Sequence, residues 1–318
     1  MKRIFRLDLL LFGLITFTCL MVSCEEKIKE KKAGISQRVD ATENNSEPVK
    51  KPLSEAFKKY WYAGEAEITS YELQQARYGE LRDGKAVLIY VTEPFLAEKQ
   101  VKADGNNPDN IPVLKLNSTK NYLTGIYPYS IMSSSFYPVH DDSHAIKVSF
   151  SAQEWCGHVY AQLNNRDKFS VQSHSYFENE ADELMELDKA TLENELWNKI
   201  RINPKALPVG TFEMIPSLEY IRLSHNTLKA YKAITTLTVN GEISTYEITY
   251  PELGRTLHID FTTVFPFGIE GWTESFKSGF GNNAKMLTST ARKIRSIKSP
   301  YWTKNSNSYL SLRDSLGL

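Results

Sequence analysis

The chain has few cysteines and no excess of either charge, and both shortages limit what it can be. Its 318 residues contain 3 cysteines, and Lys+Arg and Asp+Glu are equal at 38 each. General nucleic-acid binding requires a basic excess, so we expect no nucleic-acid partner. The phosphate loop, the His-Glu-x-x-His zinc motif and the Gly-x-Ser-x-Gly nucleophile motif are also missing. Nothing in the sequence indicates a cofactor.

The first 24 residues have the pattern of a bacterial lipoprotein signal. A basic start precedes a nearly continuous apolar run over 9–22, and a small residue precedes Cys24. These features are typical of a secretory signal, and the cysteine at the junction resembles the lipidated type. We therefore expect 1–23 to be removed and acylated Cys24 to bind the chain to the lipid bilayer. A permanent membrane-spanning anchor is the alternative, although the run is shorter than the roughly 20 residues that a span needs.

Residues 24–52 are predicted to be the lipidated cysteine and a disordered tether. From residue 25 onward this segment contains two prolines and no aromatic residue, so it cannot bury enough apolar surface to fold. The pair Glu25-Glu26 resembles surface-export signals of lipoproteins in some Gram-negative groups, with an ordinary solvated tether as the alternative. The expected location is the cell envelope, on the periplasmic or surface-exposed side of the outer membrane.

Residues 53–318 are predicted to form a single antiparallel β-rich domain. Alternation of apolar and polar residues predicts strands at 66–73, 85–92, 112–117, 127–138, 144–152, 154–163, 169–177, 212–223, 229–239, 242–250, 255–263 and 284–297. Helical spacing predicts helices at 54–61, 189–202 and 307–316. The expected fold is mainly β, of the α+β type: a large curled antiparallel sheet, a half-barrel or a sandwich, with one or two packed helices.

Turn residues support antiparallel pairing between neighbouring strands. Asn240-Gly241 predicts a two-residue hairpin, and turns are also expected at Asp83-Gly84, 141–143 and 164–167. Short links of this kind suit antiparallel neighbours, whereas parallel strands need a crossover. With Cys24 lipidated, the domain keeps one cysteine and can form no internal disulfide.

The run 153–163 contains the strongest candidate site residues. If it is a strand, Glu154, Cys156, His158 and Tyr160 share its polar face, and Trp155 lies on the apolar face with Gly157, Val159, Ala161 and Leu163. Pairing with 169–177 through a three-residue loop at 165–167 keeps the apolar faces together. That register places Leu163 opposite Phe169, His158 opposite His174 and Cys156 opposite Tyr176.

This polar face allows several interpretations. Cys156, His158 and Glu154 could form a thiol catalytic site, in which the histidine lowers the thiol pKa. His174, Tyr176 and Tyr160 could instead bind a ligand or partner. Cys156, His158 and His174 are also ligands that zinc accepts, but we assign no metal site. The plainest interpretation is a wet sheet face with an inert cysteine.

Three runs carry a family resemblance: YWYAGEAEITSYEL at 60–73, QEWCGHVYAQLNN at 153–165 and FKSGFG at 276–281. They resemble bacterial lipoproteins of unassigned activity that often carry the label "septum formation inhibitor Maf". The Ser-x-Ser-Pro-Arg-Arg signature of the Maf pyrophosphatases is absent, so the resemblance implies no catalytic residue.

The expected function is that of a membrane-anchored exported lipoprotein that binds a small ligand or an envelope protein, or maintains the envelope, without catalysis. The first alternative is a Cys/His-dependent hydrolase or transferase. The second is a role in septum formation, which the family label suggests.

Overall fold

The computed structural model describes residues 51–105, 107–140 and 142–318, which belong to one compact unit, Glu47–Leu318. The predicted signal at 1–23, lipidated Cys24 and all but the last two residues of the predicted tether lie outside the described residues. The described part confirms the predicted mainly β fold, with 16 strands in a single unclosed sheet and four α-helices. None of the helices in these described ranges has the length and apolar character needed to cross a membrane.

The elements follow one another in a long meander. The strands are β1 (Ala66–Arg77), β2 (Glu80–Leu96), β3 (Val101–Lys102), β4 (Asn110–Thr124), β5 (Tyr127–Pro138), β6 (Lys147–Glu154), β7 (Gly157–Asn165), β8 (Phe169–His174), β9 (Asp182–Leu187), β10 (Thr191–Leu192), β11 (Gly210–Ile215), β12 (Tyr231–Asn240), β13 (Ile243–Tyr250), β14 (Arg255–Thr262), β15 (Ile269–Ser278) and β16 (Lys285–Ser299). The helices are α1 (Glu55–Trp61), α2 (Glu193–Ile202), α3 (Leu218–Ser224) and α4 (Ser311–Leu316).

The strand order places the first long strand beside the last one. The order is β10-β11-β12-β13-β14-β15-β16-β1-β2-β4-β5-β6-β7-β8-β9, with the short β3 on β2, and only β10 and β11 pair in parallel. The edge strands β9 and β10 are separated along the chain by residues 188–190 alone. Consecutive Cα atoms are about 3.8 Å apart, so the end of β9 and the start of β10 lie within roughly 15 Å of each other. The two edges of the sheet are therefore close together, and the sheet curls through most of a turn.

Helix α2 fills the inside of this curl. Its side chains bind Arg255 on β14, Ser135 on β5 and Glu67 on β1. β14 and β5 are six positions apart in the sheet, or about 29 Å if the sheet were flat, whereas a helix of this length spans about 15 Å. The concave face therefore wraps around α2. Leu192, at the N-cap of α2, and Leu196 and Ile200 within it are buried in the main hydrophobic core.

Most predicted strands are confirmed, and the errors have local causes. The expected strand 212–223 is correct only as far as Ile215, where β11 ends. Ser217 then begins α3 by accepting the backbone N–H of Tyr220. The expected turn at Asp83-Gly84 is also wrong, because both residues lie inside β2. A Cβ at Gly84 would lie 2.3 Å from the Asn121 carbonyl oxygen, so this glycine serves close packing and not a turn.

Four strands were not predicted: β3, β9, β10 and β15. β3 and β10 have only two residues each, too few to show a period. β9 is an exposed edge strand in an acidic stretch of the chain. The predicted two-residue hairpin is confirmed, but its turn residues are Gly241 and Glu242, because Asn240 still pairs with Ile243.

Candidate functional site

The predicted Cys156 strand is a turn. Glu154 pairs with Gly157 between β6 and β7, which leaves Trp155 and Cys156 as the two turn residues. The Glu154 carboxylate accepts the backbone N–H of Cys156 at 2.8 Å. Trp155 is therefore 69% exposed, and its expected place on the core face is wrong. The turn keeps Phe150 and Ala152 of β6 on the same inner face as Val159.

The register between β7 and β8 is displaced by two residues from the predicted one. Leu163 faces Val171 and Tyr160 faces His174, while His158 faces Gln153 on β6. Residues 166–168 form the loop, because Asn165 still pairs with Phe169. The predicted pairs of His158 with His174 and of Leu163 with Phe169 are therefore wrong. The prediction that the odd-numbered residues of the two strands share the buried face is confirmed. The buried residues are Val159, Leu163, Phe169 and Val171.

The candidate residues at this corner are exposed and already have partners nearby. Tyr160 donates its hydroxyl to Gln162 at 2.6 Å, and His174 Nδ1 lies 3.2 Å from Asp182. The predicted pair of Cys156 with Tyr176 is wrong, because β8 ends at His174. The Tyr176 ring packs instead against Gly157, 2.8 Å from where a Cβ of that residue would lie. Across the described ranges no group of three His, Cys, Asp or Glu side chains could hold a metal ion.

The Cys156 thiol is not activated at this corner. It is exposed, and a hydrogen bond to Glu154 together with the charge of that carboxylate raises the pKa of Cys156. A nucleophilic cysteine needs the opposite shift, because the thiolate is the reactive form.

A larger concave site lies where α1 begins and α2 ends. This space, which we call the α1–α2 pocket, has a volume of about 430 Å³. Its walls are residues 51–57, the end of β5 with the residues after it, the end of α2 and the loop at 265–267. The lining side chains are Lys51, Pro52, Leu53, Ser54, Ala56, Phe57, Tyr137, Val139, His140, Asp142, Lys199, Ile202, Asn203, Lys205, Ala206, Phe265 and Phe267. The volume is within the range of about 300–1,000 Å³ typical of small-molecule sites.

Apolar side chains make up the wall and the floor of the pocket. Phe57 and Val139 are fully buried beneath it, whereas Leu53, Ile202 and Phe267 are only half-buried. A ligand that covers these side chains would remove apolar surface from water. The gain in binding free energy is about 25 cal/mol per Å² of apolar surface covered. The pocket can therefore bind an apolar group without any change in the fold.

A buried ion pair holds three of the elements around this pocket together. The Arg201 guanidinium of α2 binds both carboxylate oxygens of Glu67 on β1, at 2.6 and 2.7 Å. Arg201 Nε also donates to the carbonyl of Pro266 at 3.0 Å, and the guanidinium lies 4.9 Å from the Trp61 ring of α1. One residue thus joins α1, α2, β1 and the loop at 265–267.

The protonation states of this cluster are fixed by the same contacts. Burial alone would raise the pKa of Glu67, but the charge and hydrogen bonds of Arg201 outweigh it and lower the pKa. Tyr60 donates its hydroxyl to Glu67, and burial together with that carboxylate raises the pKa of Tyr60. Glu67 is therefore an anion and Tyr60 a neutral donor at neutral pH.

A second, smaller cavity of about 70 Å³ lies between α2, α3 and the centre of the sheet. Arg255 binds Glu193 at 2.5 and 2.7 Å and Glu274 at 2.7 Å, and Lys120 binds Glu219 at 2.7 Å. Each of these charged groups thus has a partner of opposite sign, although three carboxylates face two cations. The space equals about two water molecules at liquid density. We regard this cavity as a structural feature that holds α2 and α3 against the sheet.

The chain matches no protein-family model, no curated protein and no solved structure. The residues that shape the α1–α2 pocket were not candidates on sequence grounds. Arg201 and Glu67 are 134 positions apart, and no local pattern relates them. Charged residues such as Lys199 and Arg201 in the last turn of a helix are normally exposed to solvent. Arg201 is buried only because the sheet curls around α2.

Proposed function

We propose that this chain is an exported, lipid-anchored envelope protein that binds a small, largely apolar ligand in the α1–α2 pocket without catalysis. The observation that carries the proposal is the pocket itself: a preformed space of about 430 Å³ with half-buried apolar walls. A large apolar pocket with a few polar groups at its mouth is the usual form of a ligand site.

The rigidity of the walls supports binding. Because Arg201 ties α1, α2 and the loop at 265–267 together, the pocket is formed before any ligand arrives. Preformed sites avoid the ordering cost that weakens binding by flexible segments.

The binding test uses residues 47–318, the compact unit with its own hydrophobic core. N-phenyl-1-naphthylamine is a suitable probe, since it is neutral and fluoresces in apolar surroundings. We expect saturable binding of one probe per chain. Ala206→Trp places an indole in the pocket and should weaken binding at least tenfold.

Val209→Trp is the matched control, since Val209 is exposed in the same connection but does not line the pocket. Equal loss in both variants, or no saturable binding to the unmodified domain, would reject the α1–α2 pocket as the site. Thermal melting of each variant separates a blocked pocket from a damaged fold.

Export and anchoring follow from the sequence and need their own test. Cells that express the full chain should incorporate labelled palmitate into it and retain it in the outer-membrane fraction. Cys24→Ser should abolish the label and release the protein. Label retained in the Cys24→Ser variant would contradict a lipid anchor at this residue.

Neither alternative function gains support from the described residues. The hydrolase or transferase interpretation needs a thiolate at Cys156, and the pKa of that thiol is raised. A role in septum formation has no observation in its favour beyond the family label.

A further inference from the structure

We propose that the ligand of the α1–α2 pocket is a single-chain amphiphile with an anionic head, namely the carboxylate of a fatty acid, with its head at Lys205. This inference rests on the proposed function and specifies the chemistry of the same site. It follows from where the charges and the apolar side chains lie within the lining.

The charges of the lining favour an anion. Three lysines line the pocket, at 51, 199 and 205, against one carboxylate, Asp142. Asp142 is already paired with Lys51, and Lys199 is bound to Glu195 at 3.4 Å. A cationic head would therefore meet the uncompensated ammonium of Lys205 and no free carboxylate, and like charges brought together are unfavourable.

Lys205 is the cation available to a ligand. It is exposed in the short 3₁₀ turn Pro204–Ala206, directly after α2. Among the residues that the structure describes, it forms no ion pair and no side-chain hydrogen bond. An ammonium at the mouth can pair with a carboxylate that stays partly in water, so the head need not be desolvated.

The apolar side chains favour one acyl chain. Leu53, Ile202, Phe265 and Phe267 are half-buried and face the pocket, and Phe57 lies beneath them. The rings of Phe265 and Phe267 are 5.7 Å apart in an edge-to-face arrangement, which gives a continuous aromatic wall. The pocket volume of about 430 Å³ is near the lower end of the range of about 300–1,000 Å³ for ligand pockets, so it suits one acyl chain better than two.

Three ten-carbon probes of matched length separate the head from the tail: decanoate, 1-decanol and decyltrimethylammonium. Binding to residues 47–318 is measured by displacement of N-phenyl-1-naphthylamine at concentrations below micelle formation. We expect decanoate to bind most tightly and the cation most weakly. Octanoate, decanoate and dodecanoate should differ by about fourfold in affinity for each methylene buried.

Lys205→Gln tests the head, and Lys277→Gln is its matched control, since Lys277 is exposed on β15 away from the pocket. Lys205→Gln should weaken decanoate about three- to fivefold and leave decanol unchanged. The control should alter neither.

Equal affinity for decanoate and decanol, unaffected by Lys205→Gln, would overturn the anionic head and leave the pocket as an apolar site. Tightest binding of the cation would overturn it as well. If N-phenyl-1-naphthylamine binds but none of the ten-carbon probes displaces it, the amphiphile inference fails and the proposed function stands. If N-phenyl-1-naphthylamine itself does not bind, the proposed function fails together with this inference.

Discussion

Arg201 and Glu67 form a bidentate ion pair in the interior of the domain, with 1% and 6% of their side chains exposed. The pair joins α2 to the central strand β1. Its guanidinium also lies 4.9 Å from the Trp61 ring and 4.6 Å from the Tyr90 ring. Burial of such a pair makes each partner dependent on the other, because either charge alone would lack water and a counterion.

Removal of one partner of this pair should be strongly destabilising. Glu67→Gln leaves the Arg201 charge uncompensated, and we expect the free energy of unfolding to fall by about 3–5 kcal/mol in urea denaturation. Glu252→Gln is the control, because both partners of its pair with Lys229 are exposed, and it should leave the free energy of unfolding nearly unchanged. Similar small losses in both variants would show that the buried pair is dispensable.

Acid should destabilise the domain through two buried carboxylates. Burial would raise the pKa of Glu67 and of Glu193, but Arg201 and Arg255 outweigh it, and both pKa values lie below the ordinary 4.5. The folded state then binds fewer protons than the unfolded chain, so this stability is present above pH 4.5 and is lost as the pH falls below it. Unfolding in urea at pH 6, 5, 4 and 3 measures the slope. Glu193→Gln should flatten it, and an unchanged slope would contradict the assignment.

The thiol of Cys156 should react slowly at neutral pH. The hydrogen bond and charge of Glu154 raise the pKa of Cys156. The rate of alkylation by iodoacetamide should therefore begin to rise at a higher pH than it does for a free thiol. Glu154→Gln should move the profile to lower pH, whereas His158→Ala should leave it unchanged. A profile that lies below that of a free thiol and rises in His158→Ala would restore the catalytic interpretation of Cys156 and His158.

Gly84 should tolerate no side chain. Its Cβ would lie 2.3 Å from the Asn121 carbonyl oxygen and 2.7 Å from the Tyr122 Cβ, both on the neighbouring strand β4. Gly84→Ala should lower the free energy of unfolding by about 1–3 kcal/mol, because two strands must separate. Gly105→Ala is the control, since no atom lies within 4 Å of its added Cβ. Equal stability of the two variants would show that β2 and β4 can shift at no cost.

The sheet was predictable from the sequence because its signal is local. The predicted strand 127–138, which has a period of two, has the same bounds as β5. The two-residue hairpin predicted at Asn240-Gly241 is present one residue further along, at Gly241 and Glu242. The β7–β8 register was missed by two residues. Both registers keep Leu163 on the buried face, so parity alone cannot choose between them.

The α1–α2 pocket was not predictable in the same way. Its walls come from α1, β5, α2 and the loop at 265–267, and sequence periodicity carries no information on which distant elements meet. In α2 the apolar residues Leu196 and Ile200 lie in the core, as apolar residues usually do. Its polar residues Glu193, Asn198 and Arg201 are equally buried, because each has a partner on a different strand. Only the wrapped sheet supplies those partners.

The sheet consists of two halves that meet along a single seam. Strands β1–β9 and β10–β16 each pair only within their own half, apart from the β1–β16 pair. The helix that fills the curve of the first half, α2, is encoded in the second half. The strands made first therefore enclose no interior of their own until α2 has been synthesised. Because the seam pairs β1 with β16, it can close only when nearly the whole chain is present, and two separate fragments divided at 188–190 would have to associate through this seam to complete the sheet.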